Sequence, residues 1–248
     1  MQAHGARAQW LYETTGPGSG LPVLTTLKDM VQSGDKVHSV RGVFSGSITY
    51  LLNAVERGTK LSDAVRAAAR EGLTEPDPRD DLTGLDVCRK VVVLARELGL
   101  AIELDDVHVD SLLPPELDGW TPDGAAGAPP VGEQLADALV PYDDAMAAKI
   151  GALLDHEGAR RSAVQLCSVD VQTGRASVSI VSLDPAVDRV ATCEANENLV
   201  EITTERYSPR PMVLQGPGAG AQITASGLFA DLLHLSRTLV EWNIPQIL

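Results

Sequence analysis

Residues 74–90 read TEPDPRDDLTGLDVCRK, and the interpretation of this stretch governs the rest of the chain. Carboxylates from Glu75, Asp77, Asp80, Asp81 and Asp86 crowd a turn and the opening of a helix. Pro76 and Pro78 hold the first half extended, because proline fixes its own φ and biases the preceding residue away from helix. Thr83 reads as a helix N-cap with Asp86 three residues on, a variant of the capping box. Leu85, Cys88, Val92 and Ala95 recur at three- and four-residue spacing, so one face of that helix is expected to be buried. Asp86 and Lys90 are four apart and lie side by side. Two readings fit. In one, Glu75 and Asp77 are solvated loop acids, and Asp86 and Lys90 make a surface pair that contributes roughly 0.3 kcal/mol. In the other, a doubly proline-braced loop concentrates carboxylates beside a buried helix face because something cationic binds there.

Composition sets limits around this stretch. A chain of 248 residues makes one large domain or two small ones, with ample core. Its hydrophobic share of 44% and charged share of 22% place it among globular proteins. A net charge of -14 argues against nucleic acid or an anionic membrane surface as partner. No apolar run approaches the roughly 20 residues a membrane span needs. MQAHGARAQW lacks the apolar centre of a secretory signal. Cys88, Cys167 and Cys193 lie far apart without CxxC or CxxH spacing. They fit buried thiols in a reducing compartment, not a zinc site or a disulfide framework.

Upstream, residues 8–13 are expected to form a short strand, followed by the turn GPGSG and a helix from near Pro22 to Gly34. A glycine-rich turn at a strand end either cradles an ion or is simply tight. Residues 36–43 alternate as a strand. Ser45-Gly46-Ser47 opens a helix through Ile48, Leu51, Leu52 and Val55. Its free N–H groups suit a carboxylate, or serve ordinary capping. Ser62 reads as the cap of a third helix, ending at Gly72. Residues 113–133, rich in proline, glycine and acid, read as an exposed loop. Residues 137–157 read as one helix. Strands are expected at 163–170, 176–183, 189–194 and 199–204, in a sheet with one wet and one packed face. Then come a strand at 212–215, the loop GPGAG, and a helix through Leu228, Leu232, Leu235 and Leu239. Gly216, Gly218 and Ala221 satisfy the G-x-G-x-x-A dinucleotide pattern, but no later strand supplies the ribose-binding acid.

TEPDPRDDLTGLDVCRK closely resembles the corresponding stretch of homoserine dehydrogenases, particularly the form fused to aspartate kinase. The resemblance continues, in the family's order, through YETTGPGSGLPVL, GVFSGSITYLLN, NENLVEITTERY and VLQGPGAGAQITASGLFADLL. The shorter motifs are weak singly and strong together. They extend from near Trp10 to near Thr238.

The resemblance implies an α/β fold. It consists of an α+β catalytic and dimerisation domain with a mixed sheet at 23–210, and an incomplete Rossmann-type nucleotide-binding portion formed by the chain ends, 1–22 and 211–248. It implies interconversion of L-homoserine and L-aspartate 4-semialdehyde with NADP or NAD, in threonine and methionine biosynthesis. On the same basis Glu75 holds the substrate ammonium, and Asp81 and Asp86 line the pocket. Lys90 is the acid–base group, with Asp86 beside it, and Gly46 and Ser47 touch the amino acid. Gly72, Glu75, Gly216, Gly218 and Gly220 fall at the cofactor, with Gly220 near the nicotinamide. Glu13, Ser19 and Leu21 match a turn whose carbonyls bind a monovalent cation, usually Na+. Two departures stand out. Gly16-Pro17 replaces a single family residue in that turn, and Leu73 replaces a common tyrosine. The family's phosphate loop lies upstream of the matched segment, so this chain alone is expected to show little or no activity. The alternative is a non-catalytic remnant that dimerises and binds amino acid. A homodimer through the sheet and an upstream aspartate kinase domain accompany the resemblance. The compartment is cytoplasmic or, alternatively, plastid.

Overall fold

Short runs rich in β-branched residues build the scaffold. In the computed structural model, which describes residues 10–154 and 161–243, they form one sheet. Its strands are β1 (Val37–Val43), β2 (His108–Val109), β3 (Ser162–Asp170), β4 (Arg175–Leu183), β5 (Glu197–Thr204) and β6 (Met212–Pro217), in the order β2-β4-β3-β1-β5-β6. The β2/β4 pair is parallel and the others are antiparallel, so the sheet is mixed, as expected. Val40 of β1 lies opposite Val169 of β3 and Ile202 of β5. All three are buried under the helical layer.

Eight helices accompany the sheet among the described residues: α1 (Val23–Gln32), α2 (Gly46–Glu56), α3 (Leu61–Arg70), α4 (Arg79–Leu82), α5 (Leu85–Glu97), α6 (Val131–Leu139), α7 (Asp143–Leu154) and α8 (Ala221–Asn243). They divide the core in two. Leu24 and Leu27 of α1 and Val91 and Leu94 of α5 pack on the sheet. Leu51 and Leu52 of α2, Val65 of α3, Leu135 of α6 and Ile150 of α7 form a second cluster. The 74–90 stretch lies at the seam, for Leu82 belongs to the second cluster and Val87 and Cys88 to the first.

Local structure departs from the sequence reading at several points. Thr83 is not an N-cap. It closes the single turn of α4, its hydroxyl donating to the Arg79 carbonyl at 2.7 Å, and Gly84 leads into α5 at φ 74°. Ser62 lies inside the first turn of α3, where the Asp143 carboxylate accepts both its N–H (2.9 Å) and its hydroxyl (2.7 Å). A carboxylate from α7 therefore does the capping. The expected strand at 189–194 is a 3-10 turn, Arg189–Thr192, capped by Asp188 through the Val190 N–H. Of the strand expected at 8–13, positions 8 and 9 lie outside the described residues, and Glu13 starts a 3-10 turn. The helix expected at 137–157 is two, α6 and α7, separated by a 3-10 turn around Pro141; positions 155–157 lie outside the described residues. The 113–133 stretch is not a free excursion, since it buries Leu113 and Leu117 and lays Trp120 against Arg79.

The α4–α5 junction makes one prediction. A Cβ on Gly84 would lie 2.7 Å from Val109 Cγ1, at a φ that L side chains avoid. Gly84→Ala is expected to destabilise the chain by about 2 kcal/mol, measured as a shift in urea midpoint at unchanged m.

Candidate active site

The site begins where β1 runs into α2. Ser45 is extended (φ -131°), and its hydroxyl caps α2 by accepting the Ile48 N–H at 3.1 Å. That hydroxyl lies 2.8 Å from the Ser47 hydroxyl, which donates to Asp81 Oδ1 at 2.5 Å. A hydroxyl has one proton to give. With Ser47's committed to Asp81, the Ser45 proton must point to Ser47. Asp81 Oδ2 accepts the Glu75 N–H at 2.8 Å. Three residues from two segments, Ser45, Ser47 and Glu75, are thus tied to one buried carboxylate. Burial pushes Asp81 up to about 6, against the bonds from Ser47 and Glu75 that favour its ionised form. The charges of Asp86 and Glu75 push in the same direction as burial.

Lys90 arrives at the same junction from α5. Its ammonium donates to Asp86 Oδ2 at 2.7 Å and to the Phe44 carbonyl at 3.1 Å. Its side chain is 20% exposed, so the pair is neither sealed off nor a surface ornament. The amine has three donors, and these bonds use two. Beneath it lies Cys167, fully buried, whose thiol is pushed well up by burial. Glu75 is anchored through its N–H, while its side chain is exposed. Asp77 is taken by Arg79, which also donates to the Trp120 carbonyl at 2.6 Å. Asp77 and Arg79 brace the loop. Asp81, Asp86 and Lys90 meet at the β1–α2 junction.

A second half of the site assembles around the start of β5. Gly46 sits against Asn196, where a Cβ would be 2.9 Å from the Asn196 Cα. Asn196 itself has φ 67° and accepts the Gly218 N–H at 2.9 Å. A Cβ on Gly216 would stand 3.1 Å from the Leu21 side chain. Gly220 (φ 116°) has open space where a side chain would stand, as does Gly72 (φ 68°) after α3.

The 13–21 turn is built differently from a bare ion cage. The Glu13 carboxylate is buried and caps α1, accepting the N–H groups of Leu24 (2.7 Å) and Thr25 (2.8 Å). The Glu13 and Leu21 carbonyls already accept the N–H groups of Gly16 and Val23. The Ser19 carbonyl faces Gly227 of α8, 2.7 Å from where a Cβ would stand. Among the described residues no cluster of His, Cys, Asp and Glu has metal-site form.

Sequence reasoning placed Ser45 at a helix opening but not at the site, and it did not single out the Phe44 carbonyl, which as a backbone acceptor carries no signal.

With this geometry in place, comparison with known proteins is decisive. A model of the homoserine dehydrogenase family matches residues 22–233. The chain belongs to that family. It is 37% identical over 230 residues to the chloroplastic bifunctional aspartokinase/homoserine dehydrogenase 1 of Zea mays, covering 93% of this chain and 24% of the relative. It is 38% identical over 236 residues to the homoserine dehydrogenase of Emericella nidulans, covering 92% of this chain and 61% of the relative. The chain therefore spans about a quarter of the bifunctional relative and under two thirds of the fungal one. Among solved structures, a Candida auris protein of unknown function superposes with TM-score 0.74 at 34% identity, over 92% of this chain and 61% of that one. A hyperthermophilic archaeal homoserine dehydrogenase in complex with NADPH shares the fold, with TM-score 0.62 at 21% identity, over 92% of this chain and 56% of that one.

Proposed function

We propose that this chain carries the substrate site of an NAD(P)-dependent homoserine dehydrogenase that interconverts L-homoserine and L-aspartate 4-semialdehyde. The observation that supports it best is Lys90, aimed by Asp86 and the Phe44 carbonyl and left with one donor uncommitted, beside a buried acid on the same junction. The exposed Glu75 carboxylate suits the α-ammonium. The first N–H groups of α2, from Gly46 and Ser47, suit the α-carboxylate. Asp81 and Asp86 orient the hydroxyl end. In the oxidative direction the Lys90 amine accepts the hydroxyl proton as hydride leaves C4; in reverse its ammonium returns the proton to the carbonyl oxygen. NADP or NAD, when bound, supplies the hydride acceptor, and Gly72, Glu75 and the 216–220 segment, with Gly216, Gly218 and Gly220, are read as the groups that meet it.

The chain ends, 1–22 and 211–248, are read as the parts facing the rest of the nucleotide-binding domain, with 23–210 as the catalytic and dimerisation domain. A homodimer would form through the sheet. Leu166, Val181, Leu183 and Val213, on the side away from the helices that cover Cys167, are only partly buried. A monovalent cation such as Na+ would take the Glu13, Ser19 and Leu21 carbonyls. Two of these already hold N–H groups, which supports a weak site, and no step depends on it. An aspartate kinase domain upstream follows the arrangement of the bifunctional relatives. The compartment is taken as cytoplasmic, with plastid as the alternative suggested by the chloroplastic relatives. No helix among the described residues is long and apolar enough to cross a membrane.

The test is to join this chain to the upstream nucleotide-binding part of the Emericella nidulans relative and assay homoserine-dependent reduction of NADP and NAD. Turnover is expected in the fusion and little or none in the 248-residue chain. A folded fusion that binds homoserine without turning it over would establish the non-catalytic reading instead. The packing of Leu73 into the helical cluster, where the family commonly has tyrosine, favours that alternative.

A further inference from the structure

Three glycine-bearing segments far apart in sequence meet at the start of β5: the 16–21 turn, the N-terminus of α2 and the 216–220 loop, whose first two residues are the end of β6. One side chain lies between two of them. Asn198 is 1% exposed. With its amide oriented to satisfy both ends, it accepts the Gly18 N–H at 3.0 Å and donates to the Glu197 carbonyl at 3.1 Å. On its other flank it presses on Gly218, where any Cβ would fall inside the Asn198 amide. Gly218 in turn donates to the Asn196 carbonyl, and Asn196 backs Gly46. Buried polar side chains are kept where every bond is satisfied, and there they specify one arrangement.

We propose that Asn198 is a positioning residue that locks the 216–220 loop to the 16–21 turn and so fixes where the cofactor ring meets the substrate. This rests on the reading of 216–220 as the cofactor loop. The lock works from both sides. The Gly18 bond holds the turn, and the absence of a Cβ at Gly218 lets the loop close onto the amide. From there the contact passes through Asn196 to Gly46 and Ser47, at the end where the amino acid is proposed to bind. The usual reading of Gly218, as one glycine of a dinucleotide pattern, is replaced by a different cause. It is glycine because Asn198 occupies the space.

A double-mutant cycle tests this in the 248-residue chain, without any need for activity. Asn198→Ala is expected to raise amide exchange at residues 16–21 by about tenfold or more while exchange in α3 and α6 stays unchanged. Gly218→Ala is expected to raise exchange in the same turn, because the new Cβ displaces the amide. Combining the two is expected to cost less than the sum, since removing the amide makes room for the methyl. In the fusion described above, Asn198→Ala is expected to raise the cofactor KM about tenfold and the homoserine KM less than threefold. Additive effects, a general rise in exchange, or equal changes in both KM values would overturn the proposal. A wild-type fusion without turnover would sink the cofactor reading alone, because the exchange cycle still reports on the lock.

Discussion

Lys90→Ala is expected to lower homoserine-dependent kcat by about 10³-fold, within the range that a positioned acid–base group contributes. The expectation follows from how the amine is held. Asp86 Oδ2 at 2.7 Å and the Phe44 carbonyl at 3.1 Å fix two of its three donor directions and leave the third for the reacting oxygen. Asp86 belongs to α5, and Phe44 directly follows β1 and is fully buried. Truncation removes the proton carrier, but it leaves the ammonium and carboxylate ends of the substrate their proposed partners, Glu75 and the start of α2. The homoserine KM should therefore move far less than kcat. Lys90→Arg keeps the charge but cannot give up its proton near neutral pH, so it should not rescue turnover. Asp86→Asn keeps the volume and frees the amine, with an expected loss of about 10-fold to 100-fold. These values come from steady-state kinetics on the fusion, with circular dichroism as the check on folding. Turnover within threefold of wild type in Lys90→Ala would remove the lysine from the chemistry.

The site and the fold differed in how far residue patterns could reveal them. Strands β1, β3, β4 and β5 were legible because alternation and β-branching write a packed face directly into the sequence. The helix period in Cys88, Val92 and Ala95 did the same for α5. What failed were the junctions. Thr83 has the form of an N-cap, but α4 reaches forward one turn and claims it as an ending, and only the φ 74° at Gly84 lets α5 start afresh. Ser62 also has the form of a cap, yet a carboxylate 81 positions away takes that role. Residues 189–194 alternate like a strand, but Asp188 caps a 3-10 turn there and pairs with Arg41 of β1, tying the segment down without ladder bonds. In each case a long-range partner outweighed a local preference, and local preferences are worth less than about 1 kcal/mol per residue.

The chemistry-bearing residues followed the same division. Asp86 and Lys90 were legible as neighbours because helical spacing alone brings them together. The bond from Lys90 to the Phe44 carbonyl was not, because backbone acceptors leave no trace in composition. Asp81 looked like one acid among several. Its separate status comes from burial and from the Ser47 hydroxyl, which approaches from a residue 34 positions earlier. Gly216 and Gly218 fit a dinucleotide pattern, and the structure adds a second cause for their being glycine, since it packs them against Leu21 and Asn198.

Asp81→Asn is expected to flatten the pH dependence of stability between pH 4 and pH 7. The native pKa of Asp81 is about 6, against 3.8 for a free aspartate, chiefly because burial disfavours the charge. Between these values the native state holds more protons than the unfolded one, so stability falls as pH rises through the window. The contribution is complete below about 3.8 and gone above about 6. At roughly 1.4 kcal/mol per pKa unit, the swing is about 3 kcal/mol. Asparagine has no such transition. Its stability relative to wild type should therefore climb by up to about 3 kcal/mol from pH 4 to pH 7, read by urea unfolding at each pH. The free protein thus carries an acid that is uncomfortable when ionised, held there by Ser47 and the Glu75 N–H. Such a group gains most from a ligand that brings positive charge and polar hydrogens to the site. Homoserine binding near pH 6 should then release protons from Asp81. Calorimetry in buffers of different ionisation enthalpy should show that release in wild type and not in Asp81→Asn. Parallel stability curves for the two proteins, or identical proton release, would mean that Asp81 is an ordinary solvated carboxylate and that the cavity is organised around something else.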